Sequence, residues 1–405
     1  MSTQQSRVHH YVPQWYQRRF LKVGQNRFHY LDLHPETLLK DGVSHQRRNL
    51  LLWGPARCFC ADELYTIKLG SWLSDEIERR FFGAIDSQGR ESVRTIADFE
   101  GLSRSTGKGL DFLPQYMDAQ RMRTPRGLEW FQSQIDIRDR NQALILMQRL
   151  FQLHTTMWTE GVWEVVRARQ SPTKFILTDE PVTFFNSKVF PESKIGRYPG
   201  DVGLDKIGTR TLFPLGIDSC LLVTHIQLVR NPWSDLLESR LNARAFQPAM
   251  MSLLDIQFGR ELTEDEVLRI NLILKRRATR YIAAAEEEWL YPEKRATVQH
   301  WSKLDDDWFL FPHLWKVTFA SGFMAGFNDG RSFASDEYGY RPGDSNYDDK
   351  QRREKEWNLR EKAQQAWARK RVGRSVAHVD EGAHGDRSGD SLMQKYLSSQ
   401  GVKLK

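Results

Sequence analysis

Two adjacent histidines stand near the start of the chain, in Ser6-Arg7-Val8-His9-His10-Tyr11-Val12-Pro13-Gln14-Trp15-Tyr16-Gln17-Arg18-Arg19-Phe20. A histidine there can ligate a metal or act as a general base, and either role needs carboxylates from elsewhere in the chain. Adjacent side chains on an extended segment point to opposite sides, so at most one of His9 and His10 faces a given centre. The plainer alternative is a histidine pair that anchors an N-terminal strand. Thr178-Asp179-Glu180-Pro181 offers the carboxylates. Acidic residues at the end of a strand, beside a proline that stiffens the turn, are placed to ligate a metal or orient a histidine. Its alternative is a turn in which Asp179 accepts local backbone N–H groups. Further on, Glu192-Ser193-Lys194 completes an Asp…Glu-x-Lys order of the kind that holds magnesium in metal nucleases. That match is short, and Pro191 argues against the strand that should carry Glu192.

Two more sets carry charge in useful patterns. Glu78 and Asp86 lie a little over two helical turns apart, nearly on one face, and either offer acid to a site or pair with Arg79 and Arg90. Gln120-Arg121-Met122-Arg123-Thr124-Pro125-Arg126 sets three arginines beside a proline turn, a clamp for phosphate or carboxylate unless it is a solvated basic loop. The run Gly101 to Lys108 fails as a phosphate loop, because its spacing is too long and Gly109 stands where Ser or Thr should hold magnesium. Cys58, Cys60 and Cys220 are odd in number and make neither a zinc cage nor an ordinary disulfide pair.

The elements that must position these residues follow from pattern. Pro13 biases Val12 away from helix, and residues 15–20 read as a short helix after it. Residues 28–33 alternate as a strand. A helix begins near Ser71, with Ile77, Phe81 and Ile85 on one apolar face. Apolar residues at three- and four-residue steps predict a long core helix over about 127–168. Short strands follow at 174–178 and within 211–229, with a Gly/Pro/Lys loop between them. Thr263-Glu264-Asp265-Glu266 is a capping box that opens a helix running to about Glu288. From Asp348 to Arg374 the chain is a dense mixed-charge helix with only Trp357, Ala363 and Trp367 as an apolar seam, and residues 375–405 read as disordered.

The chain has 405 residues, 40% hydrophobic and 27% charged, with 13 tryptophans and 22 phenylalanines. That is enough for a large buried core. Mean hydropathy is −0.59, and no apolar run approaches a membrane span or a signal-peptide core, so a cytoplasmic protein without a membrane partner is expected. A net charge of +7 permits contact with nucleic acid without demanding it. Oligomeric state is not legible.

The opening His9-His10-Tyr11-Val12-Pro13 with Trp15-Tyr16-Gln17-Arg18-Arg19-Phe20 resembles a large group of microbial proteins that begin with HHYVP and are catalogued as a domain of unknown function. The likeness continues through Tyr65-Thr66, Glu78, Asp86, Gln120, Arg123-Thr124-Pro125 and Phe175 to Val182. It ends with Phe213-Pro214-Leu215, Asn271 and Arg280-Tyr281, so that it spans roughly 8–290. Gln17 stands where the group has leucine and Glu180 where it has asparagine. No reaction attaches to the group. The resemblance therefore implies sites at His9, His10 and Asp179 without naming their chemistry.

These readings give an α+β, predominantly α-helical fold, with one main domain over 1–325 and a charged tail over 326–405. The expected function is a metal-dependent hydrolase, with a nuclease using magnesium or manganese as its specific form. His9 or His10 works there with Asp179 as metal ligands, Glu180, Glu78 or Asp86 completes the shell, and Arg18, Arg19, Arg123, Tyr16 and Gln120 hold substrate. The alternative is a non-catalytic binding or regulatory module in which the opening segment is a structural anchor.

Overall fold

Gly161–Arg167 is a strand and not the end of a long helix, and this difference sets the architecture. Its sequence, Gly-Val-Trp-Glu-Val-Val-Arg, is rich in β-branched and aromatic side chains, which suit a pleated surface better than a helical turn. All seven residues are buried, the charged Glu164 and Arg167 among them, so no in-out alternation marks the strand and the helical spacing of its apolar residues carries no information. The expected helix over 127–168 is instead three, Pro125–Ile135, Arg140–Arg149 and Thr155–Thr159. Asp136 ends the first in the left-handed conformation, at φ 49°.

The computed structural model describes residues 7–40, 43–69, 72–101, 109–149, 152–197, 200–247, 256–373 and 402–404. The rejected phosphate loop, apart from Gly101, and nearly all of the stretch read as disordered lie outside the described residues. The protein is 37% helical and 22% strand, a mixed α/β fold, which corrects the predominantly helical expectation. A five-stranded sheet runs in the order Thr183–Phe185, Arg210–Gly216, Ser219–His225, Gly161–Arg167, Ile256–Glu261. The first three pairings in this order are antiparallel, and the last, between Gly161–Arg167 and Ile256–Glu261, is parallel. A four-stranded antiparallel sheet has the order Leu177–Thr178, Tyr281–Ala284, Phe28–Asp32, Leu50–Trp53. Val8–His10 pairs only with Cys60–Asp62, with His10 opposite Cys60.

Helical elements frame that N-terminal strand. A π-turn over Ile77–Phe82 runs into the helix Gly83–Ala97, so this element starts at 77 and not near 71. Leu113–Met122 and Pro125–Ile135 meet at Arg123-Thr124, where Thr124 caps the second helix by accepting the Gly127 N–H. The capping box at Thr263 and Glu266 forms, but its helix stops at Arg277, and Tyr281–Ala284 returns as a strand. The charged C-terminal helix, Lys350–Arg371, does not stand apart. Its Ala363, Trp367 and Ala368 are buried in one cluster with Leu228, Phe311 and Leu314. The strand Gly322–Phe327 pairs with Ser332–Asp336 and crosses the expected boundary at 325.

Candidate functional site

The two histidines part company, as strand alternation requires. His9 is fully buried. Its Nδ1 accepts the Tyr65 N–H at 2.9 Å, and its ring stacks on Tyr65 with centroids 5.5 Å apart. Tyr11, Val12, Tyr16 and Phe20 fill the core beside it. The Tyr16 hydroxyl donates to the Pro214 carbonyl, and Gln120 Nε2 donates to the Tyr11 carbonyl at 2.8 Å. Gln17 Nε2 bridges the Val12 and Cys58 carbonyls at 2.8 and 3.0 Å, a clamp that leucine lacks. His9, Tyr16 and Gln120 thus hold the opening segment in place.

His10 faces a different group of residues, organised by Arg123. The Arg123 side chain is almost completely buried. It donates from Nη1 to Asp86 Oδ1 at 2.7 Å and from Nη2 to the His10 carbonyl at 3.1 Å. Its guanidinium lies 4.5 Å from the Phe82 ring centroid, and the Tyr65 hydroxyl donates to its backbone carbonyl. Burial disfavours the guanidinium charge, but Asp86, Tyr65 and Glu78 outweigh it and keep the group charged. Burial pushes the Glu78 carboxyl up to about 7, against the pull of Arg123 and with Asp86 and Asp75 adding to the rise. Burial also lowers the His10 imidazole, opposed by the Ala56 and Pro55 carbonyls and assisted by Arg123 and Arg18. A carboxyl is thus raised and an imidazole lowered around one arginine. His10 Nε2, Glu78 Oε2 and Arg123 Nε are each buried without a hydrogen-bond partner, as are several other arginine Nε atoms among the described residues.

Asp179 and Glu180 belong to a second cluster. Asp179 accepts three backbone N–H groups, from Thr279 at 2.9 Å, Arg280 at 2.6 Å and Tyr281 at 2.9 Å. This ties the turn to the start of Tyr281–Ala284 and uses the carboxylate as a backbone acceptor. Burial raises its pKa while those three amides oppose the rise. Glu180 accepts the Thr124 hydroxyl at 2.9 Å, and burial pushes it up to about 8, with Arg126 opposing and Asp179 adding. Arg121 and Arg277 both donate to Asp201. Burial would raise the Asp201 carboxyl, but Arg121, Arg277 and Arg126 hold it well below the usual carboxylate range. Sequence reasoning did not find Asp201 or Arg277. The signal was the arginine set itself, since buried guanidiniums need a carboxylate partner.

The segment Gln120 to Arg126 therefore serves two places. Gln120 and Arg123 reach the N-terminal segment, while Arg121 and Thr124 reach Asp201 and Glu180. Glu192 and Lys194 are exposed on a turn rather than on a strand. No group of three or more His, Cys, Asp or Glu among the described residues could hold a metal ion. His9 Nδ1 is taken by an amide and Asp179 by three, so the expected donor set does not fit a divalent ion.

Arg19 donates to the Leu215 carbonyl and belongs to the scaffold. Arg18 is exposed and lines a groove of about 540 Å³ with Gln14, Lys22, Asn26, Pro55 and Ala56. Pro55 and Ala56, which line this groove, are also the residues whose carbonyls act on the His10 ring.

Residues 8–160 match a family model described as a protein of unknown function, DUF4238. The matched span contains His9, His10, Glu78, Asp86, Gln120 and Arg123, and it stops before the Thr178–Val182 turn. No curated protein and no solved structure matches the chain. Among the described residues, no helix is long and apolar enough to cross a membrane.

Proposed function

We propose that the protein is an acid–base hydrolase of anionic esters, with phosphodiesters as the first substrate class to test. His10 is the general base and Glu78 the general acid. The observation that carries this reading is that Arg123 acts on both the His10 ring and the Glu78 carboxyl, whose Nε2 and Oε2 atoms are each buried without a partner. With the imidazole lowered and the carboxyl near 7, a neutral base and a protonated acid coexist just below neutrality. Environments that push two titratable groups apart assign acid and base roles in this way. His10 takes a proton from water, Glu78 returns one to the leaving oxygen, and Arg123 stabilises the charge that develops between them. Arg18 supplies positive charge at the mouth of the groove.

The test is cleavage of DNA and RNA by the purified chain, with EDTA or with manganese, beside Glu78→Gln. Cleavage that survives EDTA and falls roughly 10²- to 10⁴-fold in the variant supports the reading. Cleavage that requires manganese supports the divalent-metal expectation instead, and equal inactivity in every lane removes both. A second reading, a non-catalytic module anchored by its opening segment, is favoured by the burial of His9, Tyr11, Val12, Tyr16 and Phe20.

A further inference from the structure

We propose that the cavity between the sheet-edge strand Ile256–Glu261 and the C-terminal helix Lys350–Arg371 binds a small planar ligand that carries an anionic group. A nucleoside monophosphate represents the class. The cavity holds about 360 Å³, and its lining includes Glu164, Phe258, Arg260, Phe311, His313, Lys316, Trp367 and Arg371. All of these lie beyond residue 160, outside the matched family span, and none takes part in the Arg123 cluster.

The rings come first. Trp367 is 5% exposed and Phe311 8%, and the His313 ring stands 4.3 Å from the Trp367 ring, which gives the cavity flat apolar walls. Phe258 leaves 41% of its surface open. Strand register shifts between Phe258 and Arg260 at Gly259, whose φ of +85° glycine adopts without strain. That bulge sets Phe258, Gly259 and Arg260 all against the cavity, where a regular strand would alternate them.

The polar atoms define what must fit. Trp367 Nε1, Arg260 Nε and His313 Nδ1 are buried without a hydrogen-bond partner. The first two are obligate donors, so a ligand must bring acceptors. Arg260 pairs with Glu164 at 2.8 Å and Arg371 with Glu266 at 2.7 Å, which leaves their charges balanced. Lys316 makes no ion pair with a described carboxylate. Burial lowers His313 to about 4, with Lys316 adding to the effect, so the imidazole is uncharged at neutral pH. The lining therefore carries excess positive charge on Lys316, next to flat rings and donor-only edges. A planar ring with carbonyl or ring-nitrogen acceptors and a phosphate satisfies all three features. Such a ligand would also bridge the C-terminal helix to the sheet edge.

Isothermal titration calorimetry of the full chain with adenosine 5′-monophosphate, adenosine and inorganic phosphate tests this. The monophosphate is expected to bind at least tenfold more tightly than either fragment. Trp367→Phe, which keeps a ring but removes the donor, should weaken it roughly two- to tenfold, the range of one hydrogen bond. The exposed Lys316→Ala should weaken the monophosphate and leave adenosine unchanged. Circular dichroism melting confirms that each variant is folded. No saturable binding of the monophosphate, binding of phosphate alone as tight as the monophosphate, or native affinity in both variants would overturn the proposal.

Discussion

Glu78→Gln removes a titrating carboxyl from the Arg123 cluster while keeping its shape. In the folded protein burial holds this carboxyl at about 7, against an ordinary value of 4.5. A raised carboxyl binds its proton more tightly when folded than when unfolded. Stability is therefore greatest below the ordinary value, falls as pH rises from about 4.5 to about 7, and is level above that. The gap corresponds to roughly 3 kcal/mol. The glutamine variant lacks this titration, so its stability relative to native protein should rise by about 3 kcal/mol between pH 4 and pH 8. Any constant offset from the amide cancels in that comparison. Glu160 and Glu180, pushed by burial to about 7 and about 8, titrate in both proteins and cancel as well. Urea unfolding of both proteins at several pH values measures the difference directly. A difference that stays constant within about 0.5 kcal/mol across that range would show that Glu78 titrates as an ordinary surface carboxyl, and the reasoning would fail.

Asp86→Ala leaves the Arg123 guanidinium buried beside a weaker counter-charge and should cost roughly 3–5 kcal/mol in urea unfolding. The milder Asp86→Asn removes one negative neighbour of Glu78. It should shift the alkaline limb of any pH–rate profile to lower pH. Asp179→Ala strands three amide N–H groups and should destabilise by roughly 3 kcal/mol or more, whereas Asp179→Asn retains an acceptor and should cost less. Neither Asp179 variant should alter divalent-metal binding measured by calorimetry. His9→Phe keeps the ring on Tyr65 but orphans the Tyr65 amide, an expected loss of roughly 1–3 kcal/mol in thermal or urea unfolding.

Short-range signals in the sequence were legible where one residue decides the local structure. Pro13 before a short helix, Thr263 with Glu266 as a capping box, and the Leu212 and Leu221 strands appear as read. Gly161–Arg167 was not legible, because a strand buried on both faces shows no alternation and its valines fall at helical spacing. The capping box at Thr263 marks where a helix begins but not where it ends, so the strand at Tyr281 was absorbed into it. The same division holds at the site. Glu78, Asp86, Arg123 and His10 were all singled out by residue type, and Arg123 bonds Asp86 and the His10 carbonyl and acts electrostatically on Glu78 and the His10 ring. The expected pairing of the histidines with Asp179 depends on tertiary proximity, about which local pattern carries no information. Asp179 accepts the backbone N–H groups of Thr279 to Tyr281, an acceptor role like the one its turn suggested but filled by a distant segment and not by the local backbone.

The inverted protonation of Glu78 and His10 is the centre of the account, and nuclear magnetic resonance reads it most directly. Site-specifically labelled protein can be titrated with the Glu78 carboxyl carbon and the His10 ring followed in the same samples. The account predicts a Glu78 midpoint about 7 and a His10 midpoint below its ordinary 6.5, so that the carboxylic acid and the neutral imidazole coexist between them. A Glu78 midpoint near the ordinary 4.5, with His10 at or above 6.5, would contradict it.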